Sequence, residues 1–293
     1  MKARVLFLVA SLLFSQDIFA QNPNFHIYLC FGQSNMQGSA PIEAQDKENV
    51  NDRFKVLQSV DCSNLKRIKG KWVKAEPPLC RCETGLGPAD YFGRTMVANL
   101  EDRITVGVIN VAVAGCRIEL FDKEKYRDFT STHTEDWFQN IIQEYGGNPY
   151  AHLIGLAKRA QQDGVIKGIL LHQGESNTGD KEWPLKVKTV YDNLIRDLEL
   201  NPKETPLLAG EVVHADQGGI CARMNSIIAK LPETVLTSYV ISSKGCPAKD
   251  DNLHFTSEGY RMLGKRYAFQ MLKVMGIEVS EKDGSRSEKN ISH

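Results

Sequence analysis

A serine, a histidine and an aspartate can together cleave an ester, and this chain carries all three at turns where they would be exposed. Gly32-Gln33-Ser34-Asn35-Met36 follows the apolar run Ile27 to Phe31. A strand is expected to end there in a tight turn of small residues, with Ser34 where a helix can begin. A serine in that place has two readings. Its oxygen can cap the helix, or it can act as a nucleophile once a base removes its proton. Near the other end of the chain, Asp251-Asn252-Leu253-His254 supplies such a base. An aspartate three residues before a histidine on a short turn reaches the imidazole from behind and fixes its tautomer, leaving the other nitrogen to take the serine proton.

Two further polar clusters follow apolar runs. Ala114-Gly115-Cys116 comes after Ile104 to Val113, and His172-Gln173-Gly174-Glu175-Ser176-Asn177 comes after Ile166 to Leu171. Taken singly they have plain structural readings. Gly115 is a turn glycine, His172 a satisfied core histidine, Glu175 a helix cap or the lining of a polar cleft, and Asp251 a cap for the last helix.

The elements that must position these clusters can be read from the pattern. The Val/Ile-rich runs lack polar alternation, as in strands buried on both faces. Helical spacing is expected from Pro88 to Asn99, Tyr150 to Gln162 and Leu185 to Leu200, in a short piece near Asn225 to Lys230, and from Thr256 to about Met275, where Gly276 stops it. Further strands are expected at Leu207 to Gly210 and Tyr239 to Ser242, while Phe54 to Gln58 and Lys71 to Val73 read as short extended segments in an elaborated loop. Strands alternating with helices predict an α/β fold, a three-layer, doubly wound, mostly parallel sheet with helices on both faces. Ligands of such sheets bind beyond the carboxyl ends of the strands, where all four clusters fall. Gly85-Leu86-Gly87-Pro88 matches neither glycine-rich phosphate-binding fingerprint.

Composition narrows the function classes. Of 293 residues, 42% are hydrophobic and 25% charged, the proportions of a globular protein. The 36 basic and 36 acidic residues cancel, so no surplus of charge favours nucleic acid or an anionic membrane. Lys2 and Arg4, the apolar stretch Val5 to Phe14 and the exit Ile18-Phe19-Ala20 read as a signal peptide cleaved before Gln21. The domains expected are therefore residues 1–20 as leader, 21–276 as a single domain and 277–293 as a polar, disordered tail, with the mature protein exported to the periplasm or the extracellular space and not inserted in a membrane. Export makes seven cysteines candidates for disulfides. Cys30 is expected to be a buried hydrophobe, with one local bridge among Cys62, Cys80 and Cys82 and another between Cys221 and Cys246; Cys80-Arg81-Cys82 lacks the partners of a zinc site. Trp72, Trp137, Trp183 and Tyr126 are expected in the core, with stacking on a sugar as the alternative. Arg117 beside Gly115 reads as a contact for a substrate carboxylate or as a surface salt bridge.

Taken in order, Gly32-Gln33-Ser34-Asn35-Met36, Gly115, His172-Gln173-Gly174-Glu175-Ser176-Asn177 and Asp251-Asn252-Leu253-His254 resemble the blocks of the SGNH/GDSL hydrolase superfamily. The closer resemblance is to its carbohydrate acetylesterases, the sialate O-acetylesterase-like and family 6 acetylxylan esterase-like proteins. It covers nearly all of the chain after the leader. It implies a flavodoxin-like SGNH fold, Ser34 as nucleophile, His254 as general base and Asp251 as its orienter. It also implies an oxyanion hole made by the backbone N–H groups of Ser34 and Gly115 and by Gln173, which stands where many members of the superfamily carry an asparagine. Glu175 and Asn35 are implied supports, Glu175 as an alternative partner of His254 or as a more distant brace. The implied substrate is an acetylated oligo- or polysaccharide, acetylated xylan first and O-acetylated sialic acid second, with no metal or cofactor. A lipid or thioester hydrolase and a catalytically degenerate carbohydrate-binding protein are the alternatives.

Overall fold

The computed structural model describes residues 21–279, so the leader read at Met1 to Ala20 and nearly all of the expected tail lie outside the described residues. Seven strands run in chain order as β1 (Asn22–Gly32), β2 (Phe54–Leu57), β3 (Trp72–Lys74), β4 (Thr105–Ala112), β5 (Gly164–His172), β6 (Leu207–Gly210) and β7 (Ser238–Ile241). They form one sheet in the order β3-β2-β4-β1-β5-β6-β7. Only the edge strand β3 is antiparallel to its neighbour. Successive side chains of a strand point to opposite faces. Ile27, Leu29 and Phe31 of β1 accordingly enter one core, while Tyr28 and Cys30 enter the other.

Helices α1 (Pro88–Asn99) and α5 (Ser257–Val274) cover one face, and α2 (Asp136–Glu144), α3 (Pro149–Ala160) and α4 (Trp183–Asp197) cover the other. Pro88 opens α1, where a missing N–H costs nothing. In α5 the buried residues Tyr260, Leu263, Gly264, Tyr267, Ala268, Met271 and Leu272 recur at helical spacing and form one stripe. The hydroxyl of Thr256 caps it, accepting the Gly259 N–H at 3.1 Å.

The structure departs from several expectations. The segments taken for loop elaborations are β2 and β3, and β2 continues the sheet beside β4 with Phe54, Val56 and Leu57 buried. Strands of 4 and 3 residues are too short to show a period in sequence. Helix α2, with Tyr126–Thr132 before it, was not foreseen, because its buried apolar stripe is only three residues, Phe138, Ile141 and Ile142. Cys62 and Cys82 are bridged and Cys80 is free and buried, but Cys221 and Cys246 are not paired. The Cys221 thiol lies 3.8 Å from the Glu175 carbonyl oxygen, whereas Cys246 is buried beside the Arg266 guanidinium at 3.3 Å. Of the four aromatics expected in the core, Trp183 is fully buried and Trp72 and Tyr126 are half-buried, but Trp137 is 53% exposed. Beyond residue 276, where the domain was expected to end, Ile277 and Val279 still pack on the core beneath α5.

β1 lies in the middle of the sheet, with β4 on one side and β5 on the other. The winding direction changes there, which opens a crevice at its carboxyl end. The approach of β5 at that end is close. A Cβ on Gly32, whose φ is +147°, would lie 2.1 Å from the His172 carbonyl oxygen. Gly32→Ala is expected to lower the unfolding free energy by about 2 kcal/mol or more in urea titrations; an unchanged midpoint would contradict this packing.

Candidate active site

Ser34 is the first residue of a single helical turn, Ser34–Gln37, whose N-cap is Gln33. The Ser34 hydroxyl therefore does not cap the helix. It lies 2.9 Å from His254 Nε2. On the far side of the ring, His254 Nδ1 is 2.8 Å from Asp251 Oδ2, while Asp251 Oδ1 accepts the backbone N–H groups of Leu253 and His254, each at 2.9 Å. Burial alone would raise the Asp251 pKa, but the hydrogen bonds from the His254 ring and from those two N–H groups outweigh it and bring it down to about 2. An ionised Asp251 accepts the Nδ1 proton, so in the neutral imidazole Nε2 carries the lone pair facing Ser34. The turn is held closed by Lys249 N–H on the His254 carbonyl at 2.8 Å, and Asn252 at its tip takes φ +52°.

Beside the serine, the register of β1 with β4 pairs Gly32 with Ala112, and Val113 N–H donates to the Gly32 carbonyl at 3.0 Å. The turns carrying Ser34 and Gly115 thus start from the same level. Gly115 has φ +73°, and its carbonyl accepts the Ser176 hydroxyl at 2.9 Å. Neither the Ser34 N–H nor the Gly115 N–H has an acceptor among the described residues. Backbone N–H groups left without an acceptor are groups that can hold an acyl-transfer oxyanion.

Comparisons with known proteins give the family. A family model described as carbohydrate esterase, sialic acid-specific acetylesterase, matches residues 24–273. The chain belongs to this family. A relative named as a probable carbohydrate esterase of Arabidopsis thaliana is 26% identical over 255 residues, covering 83% of this chain and 88% of the relative. The X-ray structure of that Arabidopsis protein is similar with a TM-score of 0.64 at 22% identity, over 86% of this chain and 99% of the other. NanS gives 0.61 at 14% identity over 87% and 99%. A carbohydrate acetylesterase from Xanthomonas citri gives 0.59 at 16% identity over 87% of this chain and 57% of that one. At these identities the structures speak for the fold alone, an α/β fold with a mostly parallel sheet.

Within this carbohydrate esterase the remaining residues of the blocks take definite places. Gln173 is buried, and its amide nitrogen donates to Gln33 Oε1 at 3.1 Å, to Asn177 Oδ1 at 2.8 Å and to the Cys116 carbonyl at 3.3 Å. Its oxygen accepts the indole N–H of Trp183 at 2.5 Å. An amide nitrogen has two hydrogens, so both are engaged within the protein and Gln173 braces the turns around the serine. Gln33, to which the sequence reading assigned no role, is the other half of this brace. Its Oε1 also accepts the N–H groups of Gly174 at 3.4 Å and Ser176 at 3.3 Å. Its position next to Ser34 was the available signal, but its partners come from a turn some 140 residues further on.

The His254 ring nitrogens face Asp251 and Ser34, and Glu175 is not among their hydrogen-bond partners. Its Oε1 accepts the Asn35 side-chain N–H, and Asn35 Nδ2 also donates to the Leu253 carbonyl at 3.0 Å while Asn35 Oδ1 accepts the Tyr260 hydroxyl at 2.6 Å. Of the two carboxylates considered, Asp251 is the one on the imidazole. Asn35 joins the serine turn to the peptide preceding His254. Glu175 is buried with Oε2 unpartnered, and desolvation raises its pKa. His172 is buried as expected but not satisfied. Its Nδ1 is 3.3 Å from the Tyr267 hydroxyl, yet Nε2 has no partner, and the nearest Glu175 oxygen is 3.9 Å away. Arg117 is in a salt bridge, with Glu119 at 3.4 Å and Asp180 at 3.3 Å, and the same two carboxylates hold Lys186 at 2.8 and 2.6 Å.

Desolvation lowers the His172 pKa from 6.5 to about 3, so the folded ring is neutral. Unfolded, it binds a proton below 6.5, and between 6.5 and 3 the unfolded state holds the extra proton. Stability from this group is thus present above 6.5 and is lost as pH falls. Relative to His172→Phe, the wild type should lose about 2 kcal/mol between pH 7 and pH 5 in urea unfolding. Parallel pH dependences of the two proteins would refute a neutral buried His172.

Proposed function

We propose that this carbohydrate esterase removes O-acetyl groups from its substrate through an acetyl-serine intermediate, with Ser34 as nucleophile, His254 as general base and Asp251 as the group that orients it. The observation that carries this reading is the unbroken chain from Ser34 Oγ to His254 Nε2 at 2.9 Å and from His254 Nδ1 to Asp251 Oδ2 at 2.8 Å. His254 takes the Ser34 proton as Oγ bonds to the acetyl carbonyl carbon, and the negative charge moves to the carbonyl oxygen against the N–H groups of Ser34 and Gly115. Asp251 stabilises the imidazolium that forms. His254 then gives its proton to the sugar oxygen as the C–O bond breaks. A water, deprotonated by His254, attacks the acetyl-enzyme, acetate leaves, and the proton returns to Ser34. Gln173, Gln33, Asn35 and Glu175 hold the turns that aim these groups.

For the sugar, a neutral acetylated polysaccharide such as acetylated xylan is the first reading. Arg117, the cation beside Gly115, is matched by Glu119 and Asp180 and so offers little to a substrate carboxylate. O-acetylated sialic acid is the second reading, favoured by the description of the family. Secretion through the leader at Met1 to Ala20, with residues 21–276 as the single esterase domain, belongs to the same proposal. Among the described residues no helix is long and apolar enough to cross a membrane.

Acetate release should be measured across acetylated xylan, acetylated xylo-oligosaccharides and O-acetylated sialic acids. Ser34→Ala is expected to lower turnover on the order of 10,000-fold and Asp251→Asn roughly 100-fold or more, with an organophosphate modifying Ser34 in the wild type. Normal acetyl-ester cleavage by Ser34→Ala would overturn the assignment, and faster release from sialic acids than from xylan would select the second sugar.

A further inference from the structure

We propose that Trp137 is the stacking platform of a sugar subsite beside the nucleophile, accepting the C–H face of a neutral pyranose ring of the acetylated glycan. The proposal rests on the glycan esterase reading and adds to it where the sugar lies. Helix α2 does not need this indole for folding. Phe138, Ile141, Ile142 and Tyr145 at helical spacing enter the core, whereas Trp137 is 53% exposed. Its contacts nevertheless hold it at the site. A Cβ on Gly115 would meet the six-membered ring of Trp137 at 3.0 Å, so the indole lies against the Gly115 turn. From below, Phe138 meets it edge to face at 5.6 Å and 83°, and Phe138 itself sits against His133 and Phe129.

A large aromatic kept in water yet held against the Gly115 turn is placed to receive the apolar face of a ligand. Ile220, 64% exposed, stands on the other side. The Ile220 N–H donates to the Asn252 carbonyl at 3.1 Å, next to Asp251 and His254, and its loop follows β6, while Gly115 follows β4. The strand order β4-β1-β5-β6 sets these two loops on opposite sides of the turn after β1. The turn carrying Ser34 thus starts between the loop of Gly115, against which Trp137 lies, and the loop of Ile220. The charge nearby favours a neutral sugar. Glu135 and Asp136 are exposed at the start of α2 and would repel an anionic ring, while Arg117 is neutralised by Glu119 and Asp180.

The test compares the full-length wild type with Trp137→Ala and Trp137→Tyr on acetylated xylo-oligosaccharides, 4-nitrophenyl acetate and 4-nitrophenyl octanoate. Trp137→Ala is expected to lower the ratio of kcat/KM on the oligosaccharide to that on 4-nitrophenyl acetate about tenfold or more, chiefly through KM, with Trp137→Tyr restoring it to within about threefold. Equal losses on the oligosaccharide and the acetate would mean that the indole merely supports the Gly115 turn, and a loss confined to the octanoate would make it an acyl-chain contact; either overturns the proposal. Calorimetric binding of the oligosaccharide to Ser34→Ala, with and without Trp137→Ala, separates this proposal from the catalytic assignment. Binding weakened about tenfold by loss of the indole supports the subsite whatever the activity of Ser34→Ala, and absent or unaltered binding overturns it.

Discussion

Three parallel strands reach one level at Gly32, and the site depends on that registry. Gly32 pairs with Ala112 on one side and with His172 on the other. The chain therefore leaves the sheet at three adjacent points, into the turns that carry Ser34, Gly115 and Gln173. A residue with a side chain at Gly32 would collide with the His172 carbonyl, so the smallest residue in the block is the one that lets the blocks meet. Slipping any of these strands by one residue would reverse its faces and also carry its turn away from the others.

Registry brings the turns together, and polar side chains then hold them. Gln33 and Gln173 share one set of hydrogen bonds that joins the serine turn to the turn after β5, with Trp183 and Asn177 completing it. Asn35 makes the corresponding link to the histidine turn through the Leu253 carbonyl. Only the Ser34–His254 and His254–Asp251 contacts belong to proton transfer in the proposed mechanism. The rest of the polar network works to keep those distances, which an acyl transfer requires within a few tenths of an ångström. Many of these amides are buried, where an unpaired donor would be costly, so the network also specifies one arrangement.

The electrostatics divide along the same line. Asp251 is kept ionised by donors from its own turn, a local device that needs only four consecutive residues. His172 and Glu175 lie deeper and are pushed toward their neutral forms by desolvation. Carboxylates of similar type in different blocks thus have opposite titration behaviour, set by whether donated hydrogen bonds or the loss of water weighs more.

Much of this was legible in the chain itself. The continuous apolar runs ending in small polar clusters implied a parallel sheet with chemistry at its carboxyl edge, because only strands covered on both faces can be apolar throughout. The Asp251–His254 spacing implied its own hydrogen bond, because three residues on one turn leave little freedom. Pro88 and Thr256 marked helix starts correctly because capping is local. What lay beyond reach depended on partners distant in sequence or on the environment. Whether Ser34 capped a helix or met His254, whether Gln173 pointed at substrate or into the protein, which cysteines paired and which tryptophan stayed in water are questions of tertiary packing. Each turns on a contact between segments many residues apart, and residue type and spacing determine what a side chain can do, whereas only the folded neighbours determine which of its partners it meets.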